Sequence, residues 1–131
     1  MRECYASVLG DCGGGISGEH YFSASVLRLL FPTGSYKLGG FPWLKPGQNQ
    51  PSIASLTANI LCKKHNSELS PLDDVALSVF RFFDEHLPLV GADKQDKQVA
   101  VALEGELFER WILKVLTGVV SRYSNEPILS R

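Results

Sequence analysis

Three cysteines and one histidine could together hold a metal ion in this chain of 131 residues. Cys62 and His65 have the spacing C-x2-H where a helix is predicted to begin, and two side chains three positions apart there can bind one ion. The other two cysteines, Cys4 and Cys12, complete a set of three thiols and one imidazole. Zn2+ favours such ligands in a closed tetrahedral set of four, so these residues predict a structural zinc ion.

The zinc hypothesis has a plain alternative, because small thiols are often buried for packing alone. In that alternative the cysteines line the core and the histidine lies on the surface, with no metal. The gap of seven residues between Cys4 and Cys12 is wider than in a usual zinc knuckle, which favours the alternative. The use of every thiol and the position of the C-x2-H pair favour zinc, which we adopt as the prediction.

Length and composition restrict the class of protein. A chain with 44% hydrophobic and 21% charged residues is typical of one globular domain with a modest core. Apolar runs are shorter than the roughly 18 residues of a membrane span, and the N-terminus lacks a signal-peptide pattern. We therefore expect no membrane contact and a reducing, cytoplasmic location, where cysteines bind metals or pack. With a net charge of −1, any contact with nucleic acid requires a local basic patch.

The pattern of apolar residues predicts an α+β fold in a single domain, 1–131, whose metal-binding core spans 1–88. The elements expected first are a strand or knuckle over 3–12, an extended segment over 16–23, a short helix ending at Pro32 and a loop insertion over 33–52. An apolar element, either a strand or a short helix, then leads from Ile53 into Cys62. These elements must bring the two ligand pairs together.

The second half of the chain is predicted to be largely helical. Apolar residues repeat at intervals of three and four from Leu72 to Phe83, and Pro88 stops this helix. After a connector at 91–98, residues 99–122 are predicted as a strand and a packing helix whose paired apolar residues recur every four positions. This apolar stripe is broad for so small a core, so we expect a homodimer or a larger complex.

The residues in and around the ligand pairs resemble the HNH nuclease family, whose fold is a β-hairpin and a helix around a metal, often held by a zinc treble clef. The segments that carry the resemblance are Cys4 with Cys12, Ile16-Ser17-Gly18-Glu19-His20 and Leu61-Cys62-Lys63-Lys64-His65-Asn66-Ser67. The resemblance spans about Cys4 to Asp74, with a long insertion between His20 and Cys62. It implies a small zinc-stapled treble-clef or ββα-metal core with additional C-terminal helices.

The resemblance also implies a role for each matching polar residue in the hydrolysis of phosphodiester bonds. His20 would be the general base that takes a proton from the attacking water. Glu19 would hold a divalent Mg2+ or Mn2+ ion, and Asn66 would orient the loop that carries the base. The closing His or Asn on the family's helix is absent here, so Asp73 or Asp74 would supply a carboxylate instead.

The first functional hypothesis is therefore an HNH-like, metal-dependent nuclease that acts on DNA, with RNA as the second choice of substrate. The same residues also fit structural roles. His20 could be a hydrogen-bonded histidine, Glu19 a surface charge and Asn66 a helix cap, and Asp73 and Asp74 could be acids near a helix N-terminus. A rival hypothesis is thus a catalytically inert zinc-binding module for nucleic-acid or protein recognition. Another is a structural or inhibitory protein, from a phage or a defence locus, that binds through the aromatic loop at Phe41 and Trp43.

Overall fold

A computed structural model describes residues 3–36, 52–86 and 102–123. Within these ranges the fold is α+β, with one two-stranded antiparallel sheet and four α-helices. In chain order these elements are β1 (Ile16–His20), α1 (Ala24–Leu30), β2 (Thr57–Cys62), α2 (Lys63–Leu69), α3 (Pro71–His86) and α4 (Gly105–Tyr123). Two short 3-10 turns, Ser7–Leu9 and Ile53–Ser55, precede the two strands. None of the helices in these ranges has the length and apolar character needed to cross a lipid bilayer.

The register of the sheet brings the start of β1 beside the end of β2. Ile16 pairs with Cys62, and Glu19 pairs with Ala58 further along the sheet. The last three residues of β2 are buried, so this strand passes through the core before it reaches α2. Cys62 is extended and its sulfur accepts a hydrogen bond from the backbone N–H of His65, which caps the N-terminus of α2. The sheet therefore delivers Cys62 directly to the first turn of a helix.

The segment that holds Cys4 and Cys12 forms a turn, which resolves the expectation of a strand or knuckle over 3–12. The N–H of Ser7 donates to the carbonyl oxygen of Cys4, and the N–H of Gly10 donates to that of Ser7, both at 2.9 Å. Gly10 has a φ of 79°, in the left-handed region that glycine adopts without strain. The chain can therefore reverse here within a few residues and return Cys12 towards Cys4.

Helices α1, α3 and α4 pack around the buried ring of Trp111. The rings of Phe80 and Phe108 lie 5.7 and 5.5 Å from it between centroids, and Val26 and Ala76 are buried in the same cluster. This packing uses the three-and-four repeat of α3 and the stripe of α4, and both predicted helices are found. Helix α3 ends at His86, and the stop predicted at Pro88 lies outside the described residues.

Several expectations fall on parts of the chain that the structure does not describe. They are the connector at 91–98, the aromatic part of the loop insertion, 37–51, and the first three residues of the strand expected at 99–103. Ala102 and Leu103, which are described, belong to no strand and lead into α4. The apolar element before Cys62, predicted as either a strand or a short helix, is a 3-10 turn followed by β2.

Candidate metal centre

The four predicted metal ligands come together in space. Their ligand atoms all lie within 4.8 Å of one another, and the residues are Cys4, Cys12, Cys62 and His65. Nδ1 of His65 lies 3.3 Å from Sγ of Cys4 and 3.3 Å from Sγ of Cys62. Its distance to Sγ of Cys12 is 3.8 Å. A tetrahedral zinc ion with ordinary bond lengths separates nitrogen and sulfur ligands by about 3.6 Å, so these residues lie close enough to bind a metal such as zinc.

Two different local structures supply the ligands. Cys4 and Cys12 flank the 3-10 turn, whereas Cys62 is the N-cap of α2 and His65 lies in its first turn. Side chains at the N-cap and at the third helical position lie on the same side of that turn. The C-x2-H spacing therefore aims a sulfur and an imidazole at one point, as the sequence predicted.

Three consecutive glycines, 13–15, join the segment of Cys4 and Cys12 to β1 and contact the start of α2. The backbone N–H groups of Lys63 and Lys64 donate to the carbonyl oxygens of Gly15 and Gly13, at 2.9 and 3.1 Å. These bonds satisfy amide groups that a helix N-terminus leaves without intrahelical partners. Gly14 has a φ of 75°, and a Cβ atom there would lie 3.0 Å from Cβ of Lys63. Only glycine fits both this conformation and this space.

The sulfur of Cys62 is prepared for metal binding by its backbone contacts. The N–H groups of His65 and Gly13 both point at this sulfur, each at 3.5 Å. Burial disfavours a thiolate, but these N–H groups and the two neighbouring thiols outweigh it and lower the pKa of Cys62 to about 6. Since a metal binds the thiolate, these contacts suit Cys62 to be a metal ligand.

The carboxylate of Asp11, which was not among the predicted site residues, contacts the ring of His65. Oδ1 of Asp11 lies 2.7 Å from Nε2 of His65, on the side of the ring away from the sulfurs. The other carboxylate oxygen of Asp11 contacts Nζ of Lys64, and Nζ lies 3.3 Å from Oε1 of Glu68. The signal for Asp11 in the sequence is its position next to Cys12, which a solvated surface acid could equally occupy.

Glu19 and Asp73, the acids predicted to hold a second, divalent ion, both form ion pairs with Lys114. Nζ of Lys114 lies 2.9 Å from Oε1 of Glu19 and 2.7 Å from Oδ2 of Asp73. Glu19 is buried, and burial raises the pKa of its carboxyl group although Lys114 acts against this. An ammonium group therefore lies between the two carboxylates at the place where a divalent ion would bridge them.

Asp73 and Lys114 belong to a buried polar network that joins α1, α3 and α4. The hydroxyl of Ser23 donates to Oδ1 of Asp73 and accepts a hydrogen bond of 2.7 Å from the indole N–H of Trp111. With Glu19 on β1, the network connects the sheet to three helices. The sequence analysis missed Lys114, and the signal that could have identified it is a lysine three positions after Trp111 on the apolar side of α4.

The remaining residues of the nuclease hypothesis have other surroundings of their own. His20 follows Glu19 on β1, and successive strand residues point to opposite faces. Its Nε2 atom is buried with no hydrogen-bond partner among the described residues, and burial lowers the pKa of the ring. Asn66 donates to Oγ of Ser17 at 3.1 Å, and Asp74 is exposed in the first turn of α3.

The chemistry of the two sites is therefore different. Three thiols and an imidazole form a set of soft and borderline ligands that suits zinc, whereas Glu19 and Asp73 form an ion-pair network with Lys114. Comparison of the chain with protein-family models, with curated proteins and with solved structures gives no match, so these two sites are the basis on which its function can be inferred.

Proposed function

We propose that this chain is a catalytically inert zinc-binding module that recognises protein. The observation that carries the proposal is the convergence of four ligand atoms within 4.8 Å, from a knuckle and from the start of a helix. A knuckle, a pair of antiparallel strands and a helix that begins at the second ligand pair is the arrangement of a zinc treble clef. In it, Zn2+ would join the segment before β1 to α2.

The composition of the ligand set supports a structural role for the ion. Three thiolates and one imidazole fill all four positions of a tetrahedral zinc site, and a catalytic zinc needs one position for water or substrate. The surroundings of Glu19 support the same conclusion, because Lys114 already forms an ion pair with this carboxylate and with Asp73. A divalent ion would have to displace a buried ammonium group to bind there.

Three cations in the described ranges are already paired with acids, which favours protein over nucleic acid as the partner. Contacts with phosphates require lysines and arginines that are exposed and clustered. Lys64 lies against Asp11 and Glu68, Arg110 contacts Glu106, and Lys114 is buried. These three cations cannot contribute to a basic patch without giving up their present partners.

A second copy of the chain is the partner we propose. Four apolar side chains on the solvent side of α4 are 39% to 62% exposed, namely Ile112, Leu113, Leu116 and Val120. Their spacing of three and four forms one continuous stripe that can pack against another helix. Antiparallel pairing of two α4 helices would oppose the helix dipoles favourably.

The zinc and the dimer are tested separately. Chain purified without added metal should contain one zinc ion per chain by elemental analysis, and Cys62→Ser should lower this content. Light scattering after gel filtration should give the mass of a dimer, and Leu116→Glu should give a monomer. Leu9→Glu is a matched control, because Leu9 is also an exposed leucine but lies in the 3-10 turn. A chain without zinc would overturn the zinc module, and a monomeric parent chain would overturn the partner.

An HNH-like nuclease that cleaves DNA is the second candidate, and two observations favour it. β1 and β2 form an antiparallel pair and β2 leads directly into α2, which are the kinds of element found at that family's metal site, although α1 lies between the two strands in the chain. The lowered pKa of His20 also keeps its imidazole neutral near pH 7, as a general base requires. Plasmid nicking with Mg2+ or Mn2+ that is lost in His20→Ala but kept in the surface variant Asp84→Asn would replace our proposal with this one. No cleavage by the parent chain would support the inert module.

A further inference from the structure

We propose that Asp11 is a positioning residue of the zinc centre, which fixes the tautomer and the orientation of His65. This inference depends on the proposed zinc site and adds to it a fifth residue that touches no metal. Its basis is the short contact of 2.7 Å between Oδ1 of Asp11 and Nε2 of His65. On the other side of the same ring, Nδ1 faces the three sulfur atoms at 3.3 to 3.8 Å.

The chemistry of imidazole makes these two contacts interdependent. A neutral imidazole carries one proton, on one of its two nitrogens, and the other nitrogen holds the lone pair that binds a metal. An ionised carboxylate beside Nε2 accepts a hydrogen bond, so it holds the proton of His65 on Nε2. Nδ1 is then left free to face the thiols. The negative charge of Asp11 also makes the ring a stronger ligand.

The position of Asp11 is fixed by its neighbours along the chain and in space. It directly precedes Cys12, so the backbone that delivers the sulfur also delivers the carboxylate. Its second oxygen contacts Nζ of Lys64, on the exposed side of α2. These two contacts, with Lys64 and with His65, fix both oxygens of the carboxylate.

Two other interpretations of Asp11 are less consistent with this geometry. Asp11, His65 and Glu68 could hold a second metal ion, since their ligand atoms lie within 4.8 Å of one another. The ammonium group of Lys64 contacts both acids, however, and it disfavours a further cation between them. Asp11 could also be only the surface partner of Lys64, and in that case its removal would not change zinc binding.

The test compares zinc affinity among variants, by competition with a chromophoric chelator at neutral pH. Loss of such an outer carboxylate costs about 10- to 100-fold in affinity, and we expect this loss for Asp11→Ala. Asp11→Asn keeps an oxygen that can accept the hydrogen bond but has no charge, so its loss should be smaller. Glu68→Gln is the matched control, because Glu68 contacts Lys64 and makes no hydrogen bond to His65, and its affinity should match that of the parent chain.

Nitrogen NMR of His65 in the parent chain reports the protonation of the ring directly, so this part of the test does not depend on whether the variants fold. Nitrogen chemical shifts of His65 in the zinc-loaded parent chain should show a proton on Nε2 and metal bound at Nδ1. Metal at Nε2, or an Asp11→Ala affinity equal to that of Glu68→Gln, would overturn the role of Asp11. Failure of the parent chain to bind zinc would instead overturn the proposed function, so the two failures are distinguishable.

Discussion

Replacement of Lys114 tests whether the network beside Glu19 is a structural ion pair. The side chains of Lys114 and Glu19 are only 4% and 7% exposed, and that of Asp73 is 25% exposed. Methionine keeps most of the length and apolar surface of lysine, so Lys114→Met removes the charge with little change in packing. It leaves Glu19 buried beside a second carboxylate without a cation.

The expected cost follows from the burial of the acids. Removal of one partner from a buried ion pair destabilises a protein by about 3–5 kcal/mol, because a charge remains buried without compensation. Lys114 has two such partners, but Asp73 keeps some access to water and a hydrogen bond from Ser23. We therefore expect a loss of about 3–4 kcal/mol, a large part of the 5–15 kcal/mol by which a domain is usually stable.

Urea denaturation followed by circular dichroism, in excess zinc, measures this loss as a change in the free energy of unfolding. Arg110→Met is the matched control on the same helix, because its pair with Glu106 joins side chains that are 60% and 76% exposed. An exposed pair at this spacing contributes about 0.3–0.5 kcal/mol. The two variants remove the same charge from α4 and differ chiefly in burial.

A second substitution separates loss of the cation from loss of shape. If an unpaired anion is the cause, adding Glu19→Gln to Lys114→Met should recover a substantial part of the lost stability. If lost packing is the cause, the second substitution should recover nothing. A Lys114→Met variant as stable as Arg110→Met would refute the argument, since the acids would then have no need of the cation.

Three further predictions concern His20, α4 and the metal. Burial lowers the pKa of His20 from 6.5, so its contribution to stability is complete above that pH and is lost as the pH falls towards the folded-state pKa. His20→Gln should therefore flatten the slope of unfolding free energy between about pH 5.5 and pH 7.5, and equal slopes would contradict this. Gly118→Ala would place a Cβ atom 2.9 Å from Cβ of Tyr21, so we expect a loss of about 1–3 kcal/mol in urea denaturation, whereas Gly105→Ala has open space and should cost little. A strong chelator should lower the Tm of the parent chain sharply, and a chelator-insensitive Tm would argue against the metal centre.

The metal ligands could be predicted from the sequence because their chemistry and their local spacing are both informative. A thiol and an imidazole three positions apart at the start of a helix must lie on the same side of it, whatever the rest of the fold does. The assignment of Cys4 and Cys12 to the same metal ion as Cys62 and His65 rests on residue type alone. No comparable pattern marks Asp11, since an acid beside a turn is also the usual composition of a solvated surface.

The surroundings of Glu19 could not be predicted because they depend on tertiary packing. Lys114 and Asp73 lie 41 positions apart in the chain, on different helices, and no local spacing relates them. Glu19 and His20 are neighbours in sequence, but alternation along a strand separates their side chains. Adjacency in the chain is therefore weak evidence for a shared site.

The two polar centres explain how so small a sheet can be held in one arrangement. Two strands alone are marginally stable in water, and a short chain has a limited core with which to support them. The ligand set lies at the end of the sheet where Ile16 meets Cys62, and Lys114 reaches Glu19, which pairs with Ala58, three residues along β1. That separation is roughly 10 Å along the strand, so a zinc ion and an ion pair would fix different parts of the same sheet. On this account Glu19 contributes to the fold through its buried ion pair with Lys114.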